Sequence, residues 1–150
     1  MNTDNKNVVL TVFREGSQEA TKADRLIDLV MLIGNDSGEN RVVASLPKAI
    51  TWDAASDGEM NISEAVTLTI ADGTPNIDEI FGVRILSSKA LVAEGLSSTQ
   101  IDNIYAGTLS YADFIADIGS YQGTYIGITP QTVEEGQNIK IMSLKLSIND

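Results

Sequence analysis

Residues 139–148, with the sequence IKIMSLKLSI, show the most regular alternation of apolar and polar side chains in the chain. From Met142 to Ile148 every second residue is apolar, and the residues between them are serine or lysine. A period of two predicts a β-strand with one face buried and the other in water. Ile139 and Ile141 have the opposite parity, so we expect a β-bulge near Ile141 and Met142.

Other short segments predict strands because they are apolar and rich in β-branched residues. They are residues 8–13, 42–44, 66–70, 81–86 and 125–128. The sequence Asp-Gly-Thr-Pro at residues 72–75 predicts the turn that follows the third of these. We expect the two strands nearest the chain ends, residues 8–13 and 142–148, to share a sheet or to pair with a neighbouring subunit.

Residues 17–33 predict a helix, since apolar residues recur every three or four positions and Ser17 can cap the first turn. Gly34 would end this helix, in the turn-forming sequence Gly-Asn-Asp-Ser-Gly at residues 34–38. The competing interpretation is a strand over residues 29–33 that pairs with Val42 and Val43, with residues 34–38 as the hairpin loop. The choice between helix and strand stays open for residues 29–33 and for much of residues 41–86.

Two short helices are predicted after residue 96. Ser97 and Gln100 have the spacing of a capping box, apolar residues follow on one face, and Gly107 is suited to end the helix. Ser110 repeats the capping pattern before a second helix, which Gly119 would close. Together these elements predict an α+β fold in a single domain spanning residues 1–150. We expect a mostly antiparallel sheet of about five to six strands with two or three short helices.

The charge of the chain restricts its partners. Ten basic residues stand against 21 acidic ones, which gives a net charge of −11. Nucleic acids and anionic membrane surfaces bind through lysine and arginine clusters, so we expect neither as a partner. The polar N-terminal residues lack the apolar core of a secretory signal, and the longest apolar run, residues 29–33, is too short to cross a bilayer.

The chain contains no histidine and no cysteine. The commonest general base and the best nucleophile are therefore missing, as are thiolate metal ligands. Neighbouring carboxylates, such as Asp78 with Glu79 or Asp113 with Asp117, are typical of a solvated surface. We expect a protein that is not an enzyme and has no resident cofactor.

One segment carries a candidate metal site. Residues 53–64 resemble the calcium loop of an EF-hand, with Asp53, Asp57 and Glu64 at loop positions 1, 5 and 12 and a glycine at position 6. Glu59 adds a further carboxylate. Ala55 departs from the pattern, because an oxygen ligand should stand there. The alternative interpretation is a polar turn in which aspartate and glycine serve the backbone geometry.

These observations favour a structural or assembly protein that acts through contacts with other protein subunits, either copies of itself or capsid and tail proteins. We expect a homo-oligomer, most concretely a small bacteriophage virion component such as a capsid-decoration, head-fibre or connector subunit. It would be made in the host cytoplasm and incorporated into the virion, with a cytoplasmic location as the alternative. Two other functions remain open: a small acidic binding module, with or without dependence on calcium, and an acidic inhibitor that mimics DNA.

Overall fold

A computed structural model describes residues 1–73, 76–117 and 123–148. The α-helices are α1 (Thr3–Ser17), α2 (Ser88–Ala93), α3 (Ser98–Ala106) and α4 (Tyr111–Asp117), and a 3-10 turn spans Lys22–Asp24. The strands are β1 (Leu29–Asp36), β2 (Arg41–Val43), β3 (Lys48–Ala49), β4 (Glu59–Asn61), β5 (Val66–Thr69), β6 (Ile77–Leu86), β7 (Thr124–Thr132), β8 (Asn138–Ile141) and β9 (Lys145–Ser147). The predicted α+β class with antiparallel pairing is confirmed.

A central antiparallel sheet has the strand order β2-β1-β6-β7, with β3 also paired to β1. The register places Leu29 opposite Leu86 and Ile33 opposite Val43. The strand interpretation of residues 29–33, paired to Val43 across a hairpin, is therefore confirmed.

The predicted helix over residues 17–33 is wrong, and the reason lies in β1. Its first six residues are buried on both faces of the sheet. Val30 and Leu32 belong to one apolar cluster, while Leu29, Met31 and Ile33 belong to the other. Because nearly every position is apolar, a spacing of three and four arises without any helical periodicity. A short continuous apolar run is typical of a strand covered on both sides.

Three helices cover one face of the central sheet. The buried side chains of α2, α3 and α4 that pack there include Leu91, Ile101 and Phe114. The capping box of α3 forms as predicted: Ser97 Oγ accepts from Gln100 N, and Gln100 Oε1 accepts from Ser97 N. Gly107 ends that helix in the left-handed conformation, with φ 74°. Ser110 Oγ accepts from Asp113 N at the start of α4, whereas the predicted end at Gly119 lies outside the described residues.

Two short strand pairs and α1 cover the opposite face. The pair β4–β9 and the pair β5–β8 contribute buried residues such as Met60 and Leu68. Trp52 is buried between them and the sheet, and its Nε1–H donates to the carbonyl oxygen of Ile27 at 2.7 Å. The central sheet has five strands, as expected, and these two pairs bring the described residues to nine strands in all, with four α-helices where two or three were expected.

The C-terminal strand predicted over residues 139–148 is divided. β8 pairs with β5, β9 pairs with β4, and residues 142–144 connect them outside any strand. The irregularity lies where the change of parity predicted a bulge, but it is a full break rather than one extra residue. Met142 is 69% exposed at this break, while Leu144 is buried.

The predicted strand at residues 8–13 is also wrong, because these residues lie in α1. Asn2 caps the helix, its Oδ1 accepting from Asn5 N at 2.8 Å. Leu10 is the buried anchor, whereas Val8 and Val12 are exposed. The local strand preference of valine is weak and is overridden when a cap and one buried contact favour the helix. The expected pairing of residues 8–13 with the C-terminal strand is therefore wrong, and β9 pairs with β4 instead.

The remaining strand predictions are confirmed. Residues 42–44, 66–70, 81–86 and 125–128 coincide with β2, β5, β6 and β7 to within a few residues. In the turn predicted at residues 72–75, Gly73 has φ 97°, while Thr74 and Pro75 lie outside the described residues.

Candidate functional site

Residues 53–64, the predicted calcium loop, are built around a β-hairpin. Ser56 N donates to Glu59 O at 2.9 Å, and Glu59 N donates back to Ser56 O at 3.0 Å. The two residues between them, Asp57 and Gly58, have φ values of 54° and 76°. Positive φ at both central positions defines a type I′ turn, for which Asp-Gly is a preferred pair. Asp57 and Gly58 thus adopt the geometry that the turn interpretation expects.

The four candidate ligands take different places around this hairpin. Asp53 follows Trp52 and donates its backbone N–H to Asn61 O at 2.8 Å. Glu59 forms an ion pair with Lys145 on β9, with Oε2 and Nζ 3.3 Å apart. Glu64 stands just before β5. Within residues 1–73, 76–117 and 123–148, no group of three or more acidic side chains is arranged to hold a metal ion. Calcium binding by Asp53, Asp57, Glu59 and Glu64 stays a prediction.

A buried carboxylate that the sequence did not single out lies at the start of β1. Asp28 Oδ1 accepts from Ser88 N at 2.8 Å, and Oδ2 accepts from Ser88 Oγ at 2.5 Å and from the Tyr105 hydroxyl at 2.7 Å. Burial raises the pKa of Asp28, although these hydrogen bonds act in the opposite direction. Burial also raises the pKa of Tyr105 to about 12.

The backbone beside Asp28 is strained. Ile27 has φ 44°, a conformation that β-branched residues rarely adopt. Ser87 Oγ accepts from Ile27 N, and the carbonyl of Ile27 accepts from Trp52 Nε1. Asp28 is only 1% exposed and Ser88 is fully buried. This cluster therefore joins β1, α2, α3 and the Trp52 segment, with Asp28 and Ser88 buried and Tyr105 half-buried.

The outer strand of the central sheet, β7, is the most distinctive exposed element. It pairs with β6 on one side, and no other strand in the described residues pairs with it on the other. Seven of its nine residues are exposed, and its sequence TYIGITPQT contains no charged residue. Charged side chains are one of the devices that keep exposed sheet edges from associating, and β7 has none.

The edge of β7 is regular over only part of its length. Thr124 to Gly127 pair continuously with Ile85 to Gly82, after which the register jumps to Gln131 opposite Ile80. Residues 128–130 therefore bulge out, and Pro130 at the end of the bulge lacks an N–H to donate. A further strand could add only along the first half of β7.

Two aromatic and two arginine side chains gather beside this regular half. The Arg41 guanidinium lies 4.7 Å from the centroid of the Tyr125 ring and 5.5 Å from that of Phe81. Arg84 is the residue of β6 that pairs with Tyr125, and its guanidinium lies 5.9 Å from the centroid of the same ring. The Tyr125 hydroxyl donates to Phe81 O at 3.2 Å, and the residue stays 41% exposed. We call Arg41, Phe81, Arg84 and Tyr125 the arginine–aromatic patch.

Sequence reasoning found residues 125–128 as a strand but not as a sheet edge, because edge position depends on pairings far apart in the chain. It also missed the patch, whose members come from β2, β6 and β7. No family model, no curated protein and no solved structure matches this chain. No helix among the described residues is long and apolar enough to cross a membrane.

Proposed function

We propose that this protein is a non-enzymatic assembly subunit that associates with further copies of itself along the regular half of β7. The single observation that carries the proposal is the exposed, uncharged outer strand. Unpaired N–H and C=O groups of a sheet edge can bond to a strand of another chain, and the side chains beside them give specificity.

The two edges of the central sheet differ in a way that favours β7 as the docking edge. The opposite edge carries Lys48 on β3, which is exposed. Lysine and arginine on an edge hinder the approach of another strand. On the regular half of β7, the exposed Tyr125 and the half-buried Ile126 instead supply apolar contact area.

The net charge of −11 opposes association with a second copy, because like-charged molecules repel one another at long range. Basic groups near the contact offset this repulsion, and Arg41 and Arg84 of the arginine–aromatic patch both approach the ring of Tyr125, a residue of the docking strand. Arginine and tyrosine are also among the residues enriched at protein interfaces.

The context we propose is a virion, in which the protein serves as a capsid-decoration, head-fibre or connector subunit after synthesis in the host cytoplasm. This part rests on composition alone: aliphatic strands, few aromatics, and neither histidine nor cysteine. In such a particle the partners of β7 would be copies of this chain or neighbouring capsid or tail proteins.

The native mass tests the proposal. Light scattering after size exclusion should show a mass that rises above the monomer with concentration. The variant Thr124→Lys places a charge on the exposed regular half of β7 and should remain a monomer. The control Thr3→Lys adds the same charge at an exposed helical position and should associate like the wild type.

Two results would overturn the proposal. One is a wild-type protein that stays monomeric at the highest concentration reached. The other is a β7 variant that associates as well as the control. Circular dichroism of each variant ensures that a lost fold is not mistaken for lost association.

A further inference from the structure

A cavity of about 360 Å³ opens on the side of the molecule away from β7. It lies between the C-terminal end of α3, the segment that leads into β3, and the segment that follows β5. Its volume is at the small end of the range for ligand pockets in proteins. The space therefore suits a molecule of metabolite size.

The floor of this cavity is apolar. Ile70, Ala71, Ile104 and Leu109 are buried and line it from two different layers of the fold. An apolar floor contributes to affinity by removing ligand surface from water, without selecting a particular head group. The ligand should accordingly have an apolar portion of a few carbons.

The rim supplies two opposite charges. Lys48 and Asp72 are both exposed and both line the opening, and no ion pair joins them in the described structure. The C-terminal end of α3, at Gly107, also faces the cavity and carries the negative end of the helix dipole. A cationic group is thus favoured near Asp72 and α3, and an anionic group near Lys48.

We propose that this cavity binds a small zwitterion of the α-amino-acid type with an apolar side chain. The side chain contacts the floor, the ammonium group lies toward Asp72 and the end of α3, and the carboxylate lies toward Lys48. The half-buried amide of Asn103, which also lines the cavity, can both donate to and accept from such a head group. This site is separate from β7 and does not depend on the proposed assembly function.

Nitrogen–proton correlation spectra of the full chain test the proposal with defined probes. L-leucine and L-phenylalanine should shift the amide resonances of Ala71, Asp72, Asn103 and Gly107. Isoamylamine and 4-methylpentanoate keep the apolar portion of leucine but only one of its charges. Phenethylamine and 3-phenylpropanoate do the same for phenylalanine. The dissociation constant of each analogue should be at least about threefold higher than that of its amino acid, as expected for the loss of one exposed ion pair.

Variants assign the two charges. Lys48→Glu should weaken the binding of the two amino acids and the two carboxylates, and it should not weaken the binding of the amines. Asp72→Asn should weaken the binding of the amino acids and the amines. Lys140→Glu makes the same charge change at an exposed position of β8 outside the cavity and should leave binding unchanged. Lys48→Ala repeats the first test without charge reversal.

Three results would overturn the proposal. The first is no shift of the cavity resonances with either amino acid up to its solubility limit. The second is an analogue that binds as tightly as its amino acid. The third is equal weakening by Lys48→Glu and Lys140→Glu, since this would report the total charge of the protein rather than the cavity.

Discussion

The ring of Tyr125 on β7 occupies the space next to Gly82 on β6 where any other residue would place its Cβ. Gly82 does not need a left-handed backbone, so the requirement for glycine here is purely steric. The same ring is the one that Arg41 and Arg84 approach. Because Gly82 has no Cβ, the Tyr125 ring can lie over β6, where the two arginines approach it.

Gly82→Ala should displace the exposed Tyr125 ring and lower the free energy of unfolding by about 1 kcal/mol, the low end for overpacking, because the ring can move toward solvent. Gly127→Ala is the matched control, because its Cβ would meet only Tyr125 Cε1 at 3.9 Å, an ordinary contact. Urea titration measures both variants. Equal stability of the two would show that the Tyr125 ring can move aside without loss.

The buried Asp28 gives a pH dependence whose sign follows from its raised pKa. The pKa of this carboxyl group is higher in the folded state than its ordinary value of 3.8. The group therefore stabilises the fold fully at pH values below 3.8, and this contribution is lost as the pH rises through the folded pKa. Asp28→Asn cannot ionise and can keep a hydrogen bond from Ser88 N. Its stability relative to the wild type should therefore increase from acid to neutral pH.

Urea unfolding of the two proteins at several pH values measures this difference. The comparison cancels other groups such as Asp36, whose pKa is lowered mainly by the hydrogen bond from Asn40 N. Asp28→Ala should lower the unfolding free energy by about 1–3 kcal/mol or more at every pH, because Ser88 and Tyr105 lose a buried acceptor. A difference between Asp28→Asn and wild type that does not change with pH would contradict the assignment.

Leu10 is the buried apolar contact of helix α1, which is also held by hydrogen bonds from Arg14 Nε to Trp52 O at 2.9 Å and from Gly58 N to Asn7 Oδ1 at 2.8 Å. Leu10 is 1% exposed, whereas Val12, two positions later, is 61% exposed. Leu10→Ala should lower the unfolding free energy by about 2–5 kcal/mol. Val12→Ala should change it by less than about 0.5 kcal/mol. Thermal melts monitored by circular dichroism distinguish the two variants. Similar losses of stability would contradict the burial of Leu10 and the exposure of Val12 in α1.

The hairpin at Asp57 and Gly58 permits a direct test of the calcium prediction. Gly58→Ala should lower stability by about 1 kcal/mol, because alanine is strained at φ 76°. Asp57→Asn should be neutral, since asparagine suits the first position of a type I′ turn. Backbone geometry alone makes both effects independent of calcium. A melting temperature that rises with calcium in the wild type, and not in Asp53→Ala, would establish the metal site instead.

Local signals in the sequence predicted those elements whose determinants lie close together in the chain. The capping box of Ser97 and Gln100 and the stop at Gly107 define α3 without help from distant residues. Strand β5 was equally readable, because Val66 and Leu68 face the core while Thr67 and Thr69 face outward. In these segments local preference and the three-dimensional environment agree.

The predictions that were wrong concern elements whose environment depends on residues distant in the sequence. Strand β1 is covered by helices on one face and by β4, β5 and β8 on the other, which removes the alternation that marks a half-buried strand. The Asp28 cluster depends on Ser88 and Tyr105, which are 60 and 77 positions distant. A lone aspartate before five apolar residues was its only local signal, since a charged group there needs buried partners.

The pairings of β4 with β9 and of β5 with β8 have a consequence for synthesis on the ribosome. Strands β4 and β5 are translated early, whereas their partners β9 and β8 are translated only after β6, helices α2 to α4 and β7. Until then Met60 and Leu68 lack the neighbours that cover them. Contacts of such long sequence separation form slowly, and the apolar surface they leave open favours misassociation. The nascent chain therefore exposes the apolar residues of β4 and β5 until residues 138–147 have been translated.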